Sequence, residues 1–292
     1  MLNERVLVTG ATGFVGRALA HRLVIEGARV TALVREKVGR RLGDGLPAEI
    51  EVREVDLRYA AGVKRAIDSV NPTLVMHLAA VGVTDPFLPI GEALRGNLEA
   101  TLNLLRGVQG RCRVVLARTP GELLALNPYA ASKAAAWQFG QMFGRTEGWP
   151  IVGAMLFQVY GPGQSTRTVL GAALKAAQAD ESFAMTSGEQ QRDWIYIEDV
   201  VEGLLATARA ETVDGETVEL GTGVATAVRQ VIERLFARVG RGQLRVGVLP
   251  QRPGEAPEQK ADADRTEQLI GWRAKVGLNE GLTKLTSTDA TD

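Results

Sequence analysis

Arg5-Val6-Leu7-Val8-Thr9-Gly10-Ala11-Thr12-Gly13-Phe14-Val15-Gly16-Arg17 is the stretch from which the rest of this chain is read. Its apolar start reads as a buried strand running into a turn with glycines at 10, 13 and 16. Ala18, Leu19, Ala20, Leu23 and Val24 then recur at helical spacing. So tight a turn needs glycine first, because only glycine takes positive φ without a Cβ penalty. The second glycine lets a diphosphate approach the backbone, and the third lets the helix press on the strand. Free N–H groups at the helix start, backed by the helix dipole, attract an anion. Strand, glycine turn and helix in that order point to a dinucleotide site.

At 292 residues the chain is long enough for a full core, as one large α/β unit or two lobes. A formal net charge of zero removes any general pull toward nucleic acid or anionic lipid. The single cysteine, Cys112, excludes an internal disulfide and a cysteine zinc cluster, and His21 and His77 lie far apart, so no metal site is expected. Met1 to Glu4 leads straight into the first strand, so no signal peptide is expected. No apolar run reaches the roughly 18 residues that cross a bilayer. A cytoplasmic protein with neither membrane nor nucleic-acid partner is the expectation.

Strand and helix patterns alternate through the first half. Ala28 to Arg35 reads as a buried strand, Glu49 to Val55 as a third, Gly62 to Val70 as a short helix and Thr73 to Ala80 as a fourth strand. Glu92 to Val108 reads as a helix with apolar residues at 94, 98, 102, 105 and 108. Arg113 to Ala117 is the fifth strand, Tyr129 to Phe143 an alanine-rich helix and Pro150 to Val159 a sixth strand. Such alternation predicts right-handed crossovers and an α/β fold with a parallel sheet covered on both faces. Past Gly161-Pro162-Gly163 the regularity fades: a helix over 168–178, a strand over 183–186, a mixed region around 195–208 and a helix from Val228 to Val239 are expected. The tail beyond Thr286 is expected to fray.

Tyr129-Ala130-Ala131-Ser132-Lys133 places a phenol and an ammonium four residues apart near a helix start, on one face. A nearby ammonium favours the phenolate, so Tyr129 is expected to titrate below its usual value and to act as acid or base on a hydroxyl or carbonyl. The bland alternative is an exposed helical pair. His77 is expected as a packed strand-end residue rather than a base, and Cys112 as core.

With these residues in place, the sequence resembles the extended short-chain dehydrogenase/reductase family, in its nucleotide-sugar epimerase/dehydratase branch, over nearly the whole chain. Thr9 to Gly16 is similar to the family's cofactor fingerprint, Asp56-Leu57 to its adenine contact and His77-Leu78-Ala79-Ala80 to the strand end under the nicotinamide ribose. Asn97 matches the asparagine of the fourth helix, and Asn127-Pro128-Tyr129 through Lys133 the catalytic helix. Tyr160-Gly161-Pro162-Gly163-Gln164, Arg192 through Asp199 and Arg252-Pro253-Gly254-Glu255 complete the series.

The resemblance implies a Rossmann-type doubly wound parallel sheet with a smaller C-terminal α/β substrate-binding lobe. Residues 1–160 would form the dinucleotide domain, with 193–225 returning to it, and 161–192 and 226–292 the nucleotide-sugar lobe. Tyr129, Lys133 and Thr119 would be catalytic, although Thr119-Pro120-Gly121-Glu122 also reads as a capping box with proline at the first helical position. Gly10, Thr12, Gly13, Phe14, Val15, Gly16, Arg35, Arg40, Asp56, Leu57, Ala79, Ala80, Val81 and Asn97, with Tyr129 and Lys133, would hold the cofactor. Thr84, Gln158, Arg192 and Arg252 would meet the nucleotide-diphosphate sugar, the two arginines as a fork on its diphosphate. Arg35 stands where NAD sites usually carry an acid, with Arg40 and Arg41 behind it. NADP(H) is therefore expected, with NAD(H) as the alternative.

Hydride chemistry at carbon 4 follows, with reduction of a 4-keto-6-deoxy sugar nucleotide preferred to 4-epimerisation. Pro120 and Gly121 stand where dehydratases of the family carry an acid pair, so elimination of water is not expected. The segment from Thr119 to Tyr129 is shorter than usual, and Met155 and Gln158 replace an arginine and an asparagine common before the Tyr-Gly-Pro turn. A non-catalytic dinucleotide-binding sensor is the rival from another class. Tyr129→Phe separates the two, because a sensor keeps its behaviour. Glu92–Val108 and Tyr129–Phe143, with Ala134, Ala135 and Ala136 allowing close approach, suggest a homodimer.

Overall fold

The computed structural model describes residues 1–35, 42–251 and 255–288. Arg40, Arg41 and Arg252 lie outside these residues. By its contacts the chain divides into two units: one comprises 1–155, 201–218 and 269–271, the other 156–200, 219–268 and 272–292. The expected return of 193–225 to the first unit is narrower here, at 201–218, and residues 156–160 fall in the second.

The first unit carries β1 (Arg5–Thr9), α1 (Phe14–Ile25), β2 (Arg29–Val34), β3 (Glu51–Glu54), α2 (Ala60–Val70) and β4 (Leu74–His77). After them come α3 (Ile90–Ala93), a π-helical stretch over Leu94–Glu99, α4 (Ala100–Val108), β5 (Arg113–Arg118), α5 (Pro128–Glu147) and β6 (Ile151–Leu156). With β10 (Thr217–Leu220), the strands form a seven-stranded sheet in the order β10-β6-β5-β4-β1-β2-β3. Pairings from β3 through β6 are all parallel. The order reverses at β1 and β4, and open α/β sheets bind ligands outside the strand ends at such a reversal. Leu7, Val75, Leu104, Leu116, Trp137 and Ile151 belong to one buried cluster under the helices. Strand residues buried on both faces explain the unbroken apolar runs of the sequence.

The sequence reading differs from the structure in two elements. The single helix expected from Glu92 to Val108 is a helix interrupted by the π turn at Leu94–Glu99. The single strand expected from Pro150 to Val159 is two strands, β6 and β7 (Gln158–Tyr160), which join different sheets on either side of Phe157. Period-two patterning does not register a change of sheet.

In the second unit, β9 (Gln191–Tyr196) pairs with β7, with β11 (Ala225–Ala227) and with β13 (Glu258–Gln259). A small parallel pair joins β8 (Ser182–Ala184) to β12 (Gln243–Arg245). Helices α6 (Val169–Gln178) and α8 (Val228–Val239) belong to this unit, and α7 (Ile197–Arg209) follows β9 directly. Asp193, fully buried, holds this unit's loops together. Its carboxylate accepts from Thr222 N–H at 2.8 Å, Thr222 Oγ1 at 2.7 Å, Gly223 N–H at 2.8 Å and Ala261 N–H at 3.2 Å. Among the described residues, no helix is long and apolar enough to cross a membrane.

Candidate active site

The site grows from the end of β1. Gly10 has φ +73°, and a Cβ there would lie 2.6 Å from Ala79 N. At Gly16 a Cβ would lie 2.1 Å from Gly10 O, so only a bare backbone lets α1 press on the turn. Gly13 caps α1 and offers no side chain to its first-turn N–H groups, which leaves them open to an anion. These residues fit a dinucleotide diphosphate.

Beneath the turn, polar side chains tie the ends of β1 and β4 to the neighbouring helix. Thr9 Oγ1 lies 2.7 Å from His77 Nδ1, and His77 Nε2 lies 2.9 Å from Thr101 Oγ1. Burial, with the Lys133 charge nearby, pulls His77 down to about 3, so the ring is neutral and packed as expected. Ala79 N–H donates to Thr9 Oγ1 at 3.3 Å, which sets the backbone after β4. Asn97, buried in the π turn, accepts from Val81 N–H at 2.8 Å and donates to Val81 O at 3.1 Å and Ser132 Oγ at 2.9 Å. Ser132 Oγ in turn donates to Tyr129 O at 2.8 Å. One asparagine therefore joins the loop after β4 to the helix that carries Tyr129.

Asn127 caps α5 by accepting from Ala130 N–H at 2.9 Å, and Pro128 occupies the first turn. This cap fixes where Tyr129 and Lys133 leave the helix. Lys133 is buried and its Nζ donates to Ala117 O at 2.6 Å, bridging α5 to the end of β5. Burial lowers Lys133 to about 8, against which the Glu122 carboxylate works in its favour. The Tyr129 phenol moves opposite to the sequence expectation. Burial, then the Glu122 carboxylate, push it up from 10.0, while the ammonium expected to lower it is engaged by a carbonyl.

Thr119 sits at the start of a short 3-10 turn, Pro120–Leu123. The capping box is present: Glu122 accepts from Thr119 N–H at 3.0 Å. Arg118 and its ion pair with Glu122, 2.8 Å apart, escaped the sequence reading. The only sequence signal was the capping-box glutamate, and nothing local announces its ion pair.

On the far side of the glycine turn, Asp56 is gripped by Arg58, whose Nε lies 3.0 and 2.9 Å from the two carboxylate oxygens. That guanidinium, with Arg35 adding at longer range, holds Asp56 below the usual carboxylate value. A cavity of about 540 Å³, lined in part by Asp56, Tyr59 and Arg65, opens beside it. Arg35 follows β2 and is exposed, and Thr84 is half-buried in the loop after β4.

In the second unit, Gln158 is half-buried in β7. Arg192 is buried, donating to Gln191 O at 2.7 Å, Ala256 O at 3.0 Å and Glu255 Oε1 at 2.9 Å.

Residues 6–221 match the model of the NAD dependent epimerase/dehydratase family. The chain is 26% identical to a UDP-glucose 4-epimerase of Mycolicibacterium smegmatis, with 96% of each chain covered. Among solved structures, the UDP-glucose 4-epimerase of Thermus thermophilus in complex with NAD is 28% identical over 97% of each chain, with a TM-score of 0.84. A UDP-glucose 4-epimerase of Thermotoga maritima with UDP-glucose, 23% identical over 98% of each chain, shares the fold with a TM-score of 0.89.

Proposed function

The chain belongs to the NAD dependent epimerase/dehydratase family, the nucleotide-sugar branch of the extended short-chain dehydrogenases/reductases, and from that premise we propose that it reduces a 4-keto-6-deoxy nucleotide-diphosphate sugar. The observation that carries this reading is the first unit's arrangement. The glycine turn, the Asn97 hub and the Tyr129–Lys133 helix stand together at the carboxyl ends of β1, β4 and β5.

A nicotinamide dinucleotide, when bound, supplies or accepts the hydride. The chain does the rest. Gly10, Thr12, Gly13, Phe14, Val15 and Gly16 cradle the diphosphate, and Asp56 and Leu57 meet the adenine. Ala79, Ala80, Val81, Asn97 and Lys133 position the ribose and nicotinamide. Tyr129 gives its proton to the sugar oxygen at carbon 4, with Thr119 donating a second hydrogen bond. A phenol raised by burial rests protonated, which suits delivery to a carbonyl oxygen. Arg35 supports NADP(H), since a guanidinium pairs with a 2′-phosphate. Thr84, Gln158, Arg192 and Arg252 are the proposed contacts to the nucleotide sugar. A homodimer through the faces of the Glu92–Val108 helical segment and α5 is supported by the outward side chains of Leu94, Phe139 and Met142, 44%, 40% and 39% exposed.

The epimerases among the relatives support a second reading, 4-epimerisation with retained NAD. The experiment is incubation with NADPH and a 4-keto-6-deoxy nucleotide sugar. Net consumption of NADPH is expected. Interconversion of UDP-glucose and UDP-galactose without added cofactor would replace this reading with the second.

A further inference from the structure

The Arg118–Glu122 ion pair is not accounted for by the mechanism above. Arg118 ends β5 and Glu122 lies in the turn that follows. Their side chains are 8% and 1% exposed, and Arg118 Nε stands 2.8 Å from Glu122 Oε2. The other carboxylate oxygen accepts from Thr119 N–H at 3.0 Å. Arg118 is held as well by the Trp137 ring, 4.5 Å from its guanidinium, and by Thr217 Oγ1. A buried ion pair is weak evidence for stability, because desolvation offsets most of the attraction. Its position suggests another role. Ala117, the residue before Arg118, carries the carbonyl that accepts from Lys133 Nζ at 2.6 Å. Lys133 and Trp137 are one helical turn apart on α5, so the pair and the ammonium share one buried corner.

We propose that Arg118 and Glu122 are a positioning pair, which fixes the backbone of Thr119 and the setting of the Tyr129–Lys133 couple. Within the pair, the carboxylate is the member that acts on both groups: it opposes the phenolate and favours the ammonium. Arg118 opposes the ammonium more weakly and anchors the carboxylate against solvent. His77 on β4, which feels the Lys133 charge, is neutral in the fold and contributes no charge. A couple that rests loaded is an acid, matched to a carbonyl acceptor rather than to an alcohol. The inference rests on the reductive reading above, which it deepens.

The test reads Lys133 directly and needs neither cofactor nor substrate. With lysine carbon-13 labelling, the seven lysines give few enough resonances for Lys133→Met to assign Lys133, and its midpoint is followed with pH. From about 8 in the native protein, Glu122→Gln lowers it by about one unit, whereas Arg118→Met raises it. The double variant Arg118→Met/Glu122→Gln removes both charges of the pair together and so guards against misfolding of either single variant. Its midpoint lies below the native one, because the carboxylate outweighs the guanidinium. Equal midpoints in the native protein and the double variant, or single variants shifting the same way, would overturn the proposal. Absence of NADPH consumption with every keto sugar tried would instead remove the reductive reading and leave this titration standing.

Discussion

Tyr129, half-buried, and His77, buried, are titratable residues at the same end of the sheet, and they lead to different expectations. Tyr129→Phe removes the hydroxyl proposed to react and keeps the ring. Turnover is expected to fall by about 10² to 10⁴-fold, with the melting temperature unmoved and the cofactor still bound. A calorimetric scan beside the rate assay checks this. His77 is instead a stability switch. Its folded value of about 3 lies below the unfolded 6.5, so below pH 6.5 the unfolded chain binds the extra proton and stability falls with pH. Between pH 7 and pH 5 the native protein should lose about 2 kcal/mol more than His77→Asn loses, measured by urea unfolding at each pH. Tyr129 and Lys133 were legible in the sequence because a spacing of four on a helix is local information. The direction of the phenol's titration was not legible, since it depends on Glu122 arriving from a turn that sequence reading treated only as a cap.

The glycine turn shows why some elements read cleanly. Its three glycines lie within seven positions of one another, so the sequence carries the motif, although the close approach at Gly10 is to Ala79 on another strand end. Gly16→Ala places a methyl against Gly10 O at 2.1 Å, and backbone cannot swing aside as a flexible side chain does. The helix must back away from the turn, and cofactor affinity measured by fluorescence titration should drop by at least about tenfold, a cost of 1.4 kcal/mol or more. The π turn at Leu94–Glu99 is the opposite case. Apolar residues at 94, 98, 102, 105 and 108 fit an unbroken helix, and nothing local announces the extra residue. What holds it is distant: Asn97 reaches Val81 and Ser132, while Thr101 reaches His77. Single-turn π segments of this kind often mark functional sites. Asp193 likewise read as part of a family motif, but its four hydrogen bonds come from residues 29 to 68 positions away.

For the whole molecule, binding is linked to melting. A dinucleotide that binds only the folded state adds about 2.7 kcal/mol at a hundred times its dissociation constant, or about 5 °C for a chain of this size. NADPH is expected to give the larger rise at equal concentration, and Arg35→Asp to reverse the order in favour of NADH. The α/β class and the extent of the first half were visible from strand–helix alternation alone. The second unit was harder to read, because its strands are two to six residues long and drawn from separate stretches. That interleaving affects synthesis. The chain leaves the first unit after residue 155, re-enters it from 201 to 218 and leaves again. A ribosome that has released the first 160 residues has therefore exposed a sheet whose final edge strand does not yet exist. Whatever guards β6 during that interval, whether a chaperone or simple speed, must act until the 217–220 segment emerges, and neither unit can be excised intact with a single cut.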